Sequence, residues 1–392
     1  MSFAQRLPAE FYQRVQVIVR DNLAAAGLDA GLFDHPDDVA YLTGFFHHPG
    51  ERPVAVYLPT DGSTPLLLLP ELEREHAEWQ DTQADLVSYP EFPGRRSPWR
   101  FLADVVAPPA NLGVAAGLSL GRHGQLSELW PDAKIGLTRA VAEPRLRKHP
   151  EEIELHAEAA RITDWMIEAG IALITEAARS GAELPSEAEL AGHVGSVGTG
   201  LMYAEHSSVV VVGLLAGGLV YAGPNSAKPH GLPSGYRLRP GDTFMLSLGC
   251  AVGGRYVEGE RTFLLGEPSP EQVRYYEVVR QAQQTGIDSI RPGLTCAESN
   301  RLCLDVIREA GLAQYLRHRQ GHGIGIGMHE PPWLEDGDHT VLDEGFVVSN
   351  EPGIYIPGHA GYRISDSMLV TADGARPFTS YPKSLDDIVI DL

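Results

Sequence analysis

The chain has 392 residues, of which 43% are hydrophobic and 21% are charged, a composition typical of a globular protein long enough for two domains. Its 31 basic and 52 acidic residues give a net charge of −21, which argues against a nucleic acid or an anionic membrane as a partner. The amino terminus lacks the apolar core of a signal peptide and no apolar run reaches membrane-spanning length, so we expect a cytoplasmic protein.

The first part of the chain alternates between helical and strand patterns. The spacing of apolar residues predicts a helix from Ala9 to about Ala26, and strands over Ala30–Phe33, Val54–Leu58 and Leu66–Leu69. The loop Glu91–Arg100 is rich in proline and arginine and is predicted to be exposed. Because no glycine-rich nucleotide-binding loop interrupts these elements, this part is predicted to be an α/β domain of another kind.

A basic segment punctuated by prolines, residues 143–150, marks the predicted domain boundary. It divides the chain into residues 1–142 and residues 143–392. Glu151 follows in the first turn of a long predicted helix, where a carboxylate favours the positive end of the helix dipole. That helix is predicted to end near Arg179.

The second part contains a weak internal repeat. The long helix is followed by a turn beginning at Gly181 and by a second predicted helix. Later in the chain, a helix from about Glu271 is followed by a turn at Gly293 and by another helix that ends at Glu309. Two helix pairs, each next to strand segments, predict a pseudo-symmetric α+β domain.

Histidines and a carboxylate are concentrated near the end of the second part. His322 and His329 lie in a glycine-rich stretch, residues 321–330, where the backbone can approach a ligand closely. Glu351 follows a hydrophobic run and precedes a Pro-Gly turn. A single histidine is more often a core or surface residue, as His230 in its loop would be if taken alone. Two histidines with a carboxylate in this context predict a functional site.

Strands in the second part supply further candidates. Ser247 is a polar residue within an apolar run, so its hydroxyl must be hydrogen-bonded or line a cavity. Glu258 and Glu260 share one face of a strand, because side chains alternate between faces. Two neighbouring carboxylates repel, so that face is solvated, paired with cations or functional. Arg363 and Ser365 share a face in the same way.

The order of these motifs resembles that of the pita-bread metallopeptidases, which include Xaa-Pro peptidases, methionine aminopeptidases and the metal-free creatinase. The resemblance covers nearly the whole chain, and Tyr41-Leu42-Thr43-Gly44 resembles the creatinase-type amino-terminal domain. It implies an α+β fold, with a creatinase-type amino-terminal α/β domain followed by a pseudo-symmetric pita-bread catalytic domain. The ordered motifs are His230, Arg261-Thr262, Gly321-His322-Gly323, His329-Glu330, Glu351-Pro352-Gly353 and Arg363.

The resemblance also implies a set of metal-ligand positions. Peptidases of this family hold two metal ions with two Asp, one His and two Glu. In chain order, the matching positions here are Ser247, Glu258, His322, Glu351 and Ser365. Because two serines replace carboxylates, two divalent ions would retain uncompensated charge at a large desolvation cost. We therefore expect no dinuclear centre and no cofactor. The alternative is one divalent ion (Mn, Co or Zn) at Glu258, His322 and Glu351.

The resemblance to creatinase assigns roles to these residues. Paired carboxylates suit a planar substrate cation, and a histidine at the position of His230 moves protons. Creatinase-like proteins are dimers in which an arginine of the partner's first domain meets the substrate carboxylate, and Arg52 has the similar place here. The predicted catalytic residues are His230, Glu258, His329 and Glu351, and the predicted substrate-binding residues are Arg52, Glu260, His322 and Arg363.

The sequence therefore predicts a homodimeric hydrolase that cleaves a C–N bond in a small zwitterionic or peptide-like substrate without a dinuclear metal. The partner's first domain would complete its active site. One alternative is a metal-dependent Xaa-Pro dipeptidase or aminopeptidase with an altered metal site. Another is a non-catalytic pita-bread protein that binds a peptide or a protein partner. The retained His230 and His329, which binding alone does not require, favour an enzyme.

Overall fold

The computed structural model describes residues 3–392, which form two compact units, residues 6–145 and residues 3–5 with 146–392. The strands are β1 (Phe3–Ala4), β2 (Ala30–Phe33), β3 (Ala55–Pro59), β4 (Leu66–Pro70), β5 (Asp85–Tyr89), β6 (Asn111–Val114), β7 (Lys134–Leu137), β8 (His206–Ser207), β9 (Ala216–Ala222), β10 (Thr243–Val252), β11 (Arg255–Leu265), β12 (Gly321–Gly323), β13 (Glu330–Leu334), β14 (Val347–Asn350), β15 (Gly353–Tyr355), β16 (Gly361–Arg363), β17 (Ser365–Thr371), β18 (Gly374–Pro377) and β19 (Val389–Ile390). The α-helices are α1 (Ala9–Ala25), α2 (Pro36–Thr43), α3 (Arg74–Trp79), α4 (Trp99–Ala103), α5 (Leu120–Leu129), α6 (Ala142–Leu146), α7 (Pro150–Ser180), α8 (Glu187–Glu205), α9 (Pro270–Ser289), α10 (Cys296–Glu309) and α11 (Leu385–Ile388).

The first unit is built on a six-stranded mixed sheet in the order β5-β4-β3-β2-β6-β7. Its strand β2 is antiparallel to β3 and parallel to β6. Buried apolar residues from the strands and helices, among them Leu32, Trp99 and Leu126, form its core. The predicted helix and three predicted strands are confirmed to within one residue at each end. The predicted exposed loop is also found, except that Trp99 is buried and begins α4.

Capping residues set the ends of the long helix α7 in the second unit. Pro150 occupies its first turn, His149 and Glu152 form a capping box, and Gly181 ends it in the left-handed conformation, with φ of 70°. This helix packs on β10 and β11, while α8 packs on β9 and α9 packs against α10. The predicted α+β class with two helix pairs is confirmed. No helix within residues 3–392 combines the length and apolar character needed to cross a bilayer.

A nine-stranded sheet forms the centre of the second unit. Seven strands follow the order β13-β12-β14-β17-β11-β10-β9, and β18 and β19 pair with β17 and β11. The antiparallel β10–β11 hairpin turns at Gly253 and Gly254, whose φ values of 56° and 76° favour glycine. The resulting register places Glu260 opposite Ser247 on one side and opposite Ser365 of β17 on the other. The middle of the sheet therefore gathers the polar residues that the sequence marked.

Candidate functional site

A cavity of about 320 Å³ lies over the central strands of the second unit. Its floor is polar and its walls include leucine, valine and methionine side chains. The residues that line it are Leu214, Gly218, Leu219, Tyr221, His230, Ser247, Leu248, Gly249, Val257, Glu258, Glu260, Met328, His329, Glu351 and Arg363. Six of the eight predicted catalytic and substrate-binding residues are in this list, so strands far apart in sequence bring them to one place.

Two carboxylates flank the ring of His322 at the floor of the cavity. His322 Nε2 lies 3.3 Å from Glu351 Oε1 and 3.6 Å from Glu258 Oε2. The other ring nitrogen, Nδ1, is 3.0 Å from the Gly323 carbonyl oxygen, to which it donates. Ser365 Oγ donates to Glu258 Oε1 at 2.8 Å. The imidazole is therefore oriented with Nε2 facing the two carboxylates.

The pKa values of these three groups are shifted because they are buried together. Burial raises the pKa of Glu258, and the charge of Glu351 adds to that shift. For Glu351, burial is outweighed by the close contact with His322 and by the charge of that ring, so the pKa of Glu351 is lowered. For His322, the two carboxylates outweigh burial and raise its pKa. A proton on His322 Nε2 thus offsets carboxylate charge when no other cation does so.

A second polar group is formed around Arg363. Its guanidinium is ion-paired with Glu260: Nη2 donates to Oε1 at 2.7 Å, and Nε lies next to Oε2. Ser247 Oγ donates to the same Oε1 and lies 3.0 Å from Arg363 Nη2. Burial raises the pKa of Glu260, but the charge of Arg363 and two hydrogen-bond donors favour its ionised form. The charges of Glu260 and Arg363 therefore cancel, and the predicted pairing of this carboxylate with a cation is the one found.

Tyr355 and His318 extend that group away from the cavity. Arg363 Nη1 donates to the Tyr355 hydroxyl at 3.1 Å, and that hydroxyl lies 2.8 Å from His318 Nε2. Burial lowers the pKa of His318, which keeps its ring neutral. No motif in the sequence marked His318, Tyr355 or Tyr221 as a site residue. The available signal was position: His318 lies just before the Gly321 stretch and Tyr355 just after Glu351.

Ligand atoms of Glu258, His322 and His329 lie within 4.8 Å of one another, close enough to hold a metal ion. The rings of His322 and His329 have centroids 4.1 Å apart. Burial and the neighbouring His322 lower the pKa of His329 to about 4, so that its lone pair is available. One carboxylate and two imidazoles are donors that fit a divalent cation. The expectation of no cofactor is therefore not supported, and the alternative of a divalent metal agrees better with these residues.

Three of the predicted residues do not line the cavity, and one of them, His322, contacts two carboxylates that do. Ser365 is fully buried beneath Glu258 and does not line the cavity. Arg52 belongs to the first unit, where it is half-exposed and ion-paired with Glu51 and Glu91. Its predicted contact with a partner's substrate stays a prediction, as do the homodimer and the roles of the individual site residues.

Both units match known protein families. Residues 154–372 match the metallopeptidase family M24, and residues 18–146 match the creatinase/prolidase N-terminal domain. The chain belongs to metallopeptidase family M24. It is 32% identical over 366 residues to the Xaa-Pro dipeptidase of Lactobacillus delbrueckii subsp. lactis, covering 92% of this chain and 95% of that protein. It is 30% identical over 349 residues to the Xaa-Pro dipeptidase of Pyrococcus furiosus, covering 88% and 94%.

Solved structures of a dipeptidase and a prolidase have the same fold. The dipeptidase PepE from Mycobacterium ulcerans superposes with a TM-score of 0.84 at 28% identity, covering 99% of this chain and all of that chain. The prolidase from Pyrococcus horikoshii gives a TM-score of 0.82 at 27% identity, covering 95% and 99%. The predicted family, fold class and hydrolase assignment are therefore confirmed.

Proposed function

We propose that this M24 hydrolase cleaves the C–N bond of a small zwitterionic or short peptide substrate, with an Xaa-Pro dipeptide as the first candidate. We further propose that it uses one divalent cation rather than two. The names of its relatives support the substrate class. The cavity supports a small substrate, because its volume of about 320 Å³ accommodates few residues. The charge of the site supports a single cation.

The observation that carries this proposal is the pairing of Glu260 with Arg363. Three carboxylates are present in the site, but Arg363 neutralises Glu260 through one hydrogen bond and a second ion-pair contact. Glu258 and Glu351 are left, with a combined charge of −2 when both are ionised. One divalent cation balances that charge, whereas two would leave about two positive charges uncompensated in a buried site, at a large desolvation cost.

The residues that would hold the cation are those around His322. Glu258 and Glu351 supply carboxylate oxygens, and His322 supplies Nε2, which lies between them and makes no well-directed hydrogen bond among the described residues. A bound divalent cation supplies Lewis acidity towards a carbonyl group. The bond from His322 Nδ1 to the Gly323 carbonyl oxygen fixes the tautomer that presents Nε2.

The remaining side chains would position the substrate and move protons. His230 stands at the exposed edge of the cavity, where it can exchange a proton with both solvent and a leaving amine. The apolar walls, among them Leu219 and Met328, suit an apolar part of the substrate. Tyr221 Oη donates to the Pro229 carbonyl oxygen at 2.8 Å and so holds the loop that carries His230.

A two-part experiment tests the proposal. Metal content is measured by mass spectrometry after the protein is loaded with Mn²⁺, Co²⁺ or Zn²⁺ and desalted, and one ion per chain is expected. Hydrolysis of Ala-Pro is then followed with and without a chelator, with Pro-Ala as the matched non-substrate. Two ions per chain would refute the single-cation proposal. Ala-Pro cleavage that persists after complete removal of metal would refute the requirement for a cation.

Matched variants separate the site from the fold. Glu351→Gln removes a ligand charge with little change of shape and is expected to lower kcat/KM by at least about 100-fold, since roughly 3 kcal/mol of transition-state stabilisation corresponds to that factor. Glu344→Gln removes an exposed carboxylate outside the cavity and should leave turnover unchanged. Equal turnover in the two variants would exclude a catalytic site at Glu351.

A further inference from the structure

His329 lies close to the candidate metal ligands, although it matches none of the five ligand positions that the family resemblance implies. A ligand atom of His329 lies within 4.8 Å of ligand atoms of both Glu258 and His322. The His322 and His329 rings pack edge to face, with an angle of 64° between their planes and centroids 4.1 Å apart. Glu351 is not a member of this three-residue group, but its Oε1 lies 3.3 Å from His322 Nε2.

The environment of His322 Nε2 is an independent observation that supports a ligand at this group. The His322 side chain is only 3% exposed, yet its Nε2 makes no well-directed hydrogen bond among residues 3–392. Buried polar atoms are rarely left in that state, because an unpaired nitrogen loses its hydration without compensation. A cation between the histidines and the carboxylates would supply the missing partner.

His329 is held in place by a buried anchor on the next residue. Glu330 Oε1 accepts a hydrogen bond from Lys148 Nζ at 3.0 Å, and Glu330 Oε2 accepts one from the Gly327 backbone N–H at 3.2 Å. A Cβ atom at Gly325 would lie 2.1 Å from Glu330 Oε1, so the loop closes tightly over this carboxylate. The glycine-rich loop is therefore fixed at the point where His329 leaves it.

We infer that His329 is a ligand of the single divalent cation, in a site made of two imidazoles and two carboxylates: His322, His329, Glu258 and Glu351. This inference rests on the proposed single-cation site. Two carboxylates balance the charge of one divalent ion, and a second imidazole provides a neutral donor where Ser247 and Ser365 supply only hydroxyls. Imidazole suits zinc and cobalt, which selects those ions over magnesium and calcium.

Cobalt provides a direct test, because Co²⁺ has a visible absorption spectrum that reports on its ligands. Wild-type protein is titrated with Co²⁺, and its affinity and spectrum are compared with those of His329→Gln. We expect the variant to bind Co²⁺ at least tenfold more weakly and with an altered spectrum. His339→Gln, which replaces an exposed histidine that does not line the cavity, is the matched control and should behave like the wild type.

The outcomes separate this inference from the proposed function. If the wild type fails to bind Co²⁺, both are overturned. If His329→Gln keeps the wild-type affinity and spectrum, only the role of His329 is overturned. A measurement on the unaltered protein avoids dependence on the folding of the variant: zinc X-ray absorption should show two imidazole ligands, and a single imidazole would contradict the inference.

Discussion

Ser247 and Glu260 face each other across the β10–β11 hairpin, and Ser247 Oγ donates to Glu260 Oε1. The family resemblance has a metal-binding carboxylate at position 247. Here a carboxylate is found on the opposite strand instead, where Arg363 occupies both of its oxygens. A negative charge thus remains near position 247, but it is ion-paired with an arginine and is not available to a metal ion.

We predict that Ser247→Asp destabilises the protein. The new carboxylate would lie directly opposite Glu260, and Arg363 can neutralise only one of the two. A buried charge without a partner costs on the order of 3 kcal/mol, so the free energy of unfolding in metal-free buffer should fall by about that amount. Denaturant titration measures it. The control Ser247→Ala loses hydrogen bonds only and should cost about 1 kcal/mol.

Adding Glu260→Thr to Ser247→Asp should recover most of the lost stability, because the introduced aspartate would then be the only carboxylate that competes for Arg363. If Ser247→Asp proves as stable as Ser247→Ala, the two carboxylates do not compete for Arg363, and the charge argument for the site is wrong.

A second prediction restores the missing ligands. The double variant Ser247→Asp/Ser365→Glu places carboxylates at both serine positions and keeps Glu260 as the partner of Arg363, which raises the uncompensated charge of the site from −2 to −4. Two divalent ions balance that charge, so Mn²⁺ content should rise from one to two ions per chain. Mass spectrometry of the loaded, desalted protein measures this. A content that stays at one ion would show that something other than charge limits the site.

The sequence predicted which residues belong to the site better than it predicted which residues they contact. His322 and Glu351 stood out through their glycine-rich and Pro-Gly contexts, and strand alternation placed Glu258 and Glu260 on one face. Alternation could not show which residues lie opposite, because the hairpin register depends on the turn at Gly253 and Gly254. The sequence therefore left three possibilities open for the two carboxylates.

His318 and Tyr355 were missed for a related reason. The contact of Tyr355 with Arg363 depends on how β15 and β16 pair, since Gly353 pairs with Arg363 and thereby brings Tyr355 near the guanidinium. His318 joins the group only through its hydrogen bond to Tyr355. No local pattern encodes this approach. The fold class needed less information, because capped helices and apolar strands are visible over short windows of sequence.

A third prediction concerns the ion pair between Lys148 and Glu330. Both side chains are almost fully buried, at 2% and 6% exposure. Removing one partner leaves a buried charge, so Lys148→Met should lower the free energy of unfolding by about 3–5 kcal/mol. The double variant Lys148→Met/Glu330→Gln replaces both charged groups, so it leaves no unpaired carboxylate at this site and should be more stable than the single variant.

An exposed ion pair provides the control for that experiment. Arg280 and Glu277 are 2.7 Å apart on α9, with exposures of 43% and 37%. Arg280→Met should change stability by less than about 1 kcal/mol, because water screens and solvates both groups. Urea titrations of the variants measure the difference. A loss for Lys148→Met no larger than that for Arg280→Met would show that burial does not strengthen the inner pair.

The last prediction is a pH dependence that arises from His156. This histidine is fully buried under Phe378, its Nδ1 donates to the Tyr256 carbonyl oxygen at 2.8 Å, and its Nε2 has no hydrogen-bond partner among the described residues. Burial, with a smaller contribution from the charge of Lys148, lowers the pKa of His156 to about 3. The folded protein therefore keeps this ring neutral throughout the mildly acidic range.

In the unfolded chain, a histidine takes up a proton near pH 6.5. Between about pH 6.5 and 3, the unfolded state thus binds one more proton at this residue than the folded state, and stability falls as the pH is lowered through that window. His156→Asn keeps an N–H donor for the Tyr256 carbonyl but cannot titrate. From pH 6 to pH 5, the wild type should lose about 1 kcal/mol more free energy of unfolding than this variant. Urea titrations at the two pH values measure this difference. Other titrating groups such as His47 contribute equally to both proteins. Equal losses in the wild type and the variant would therefore mean that His156 is protonated in the folded state.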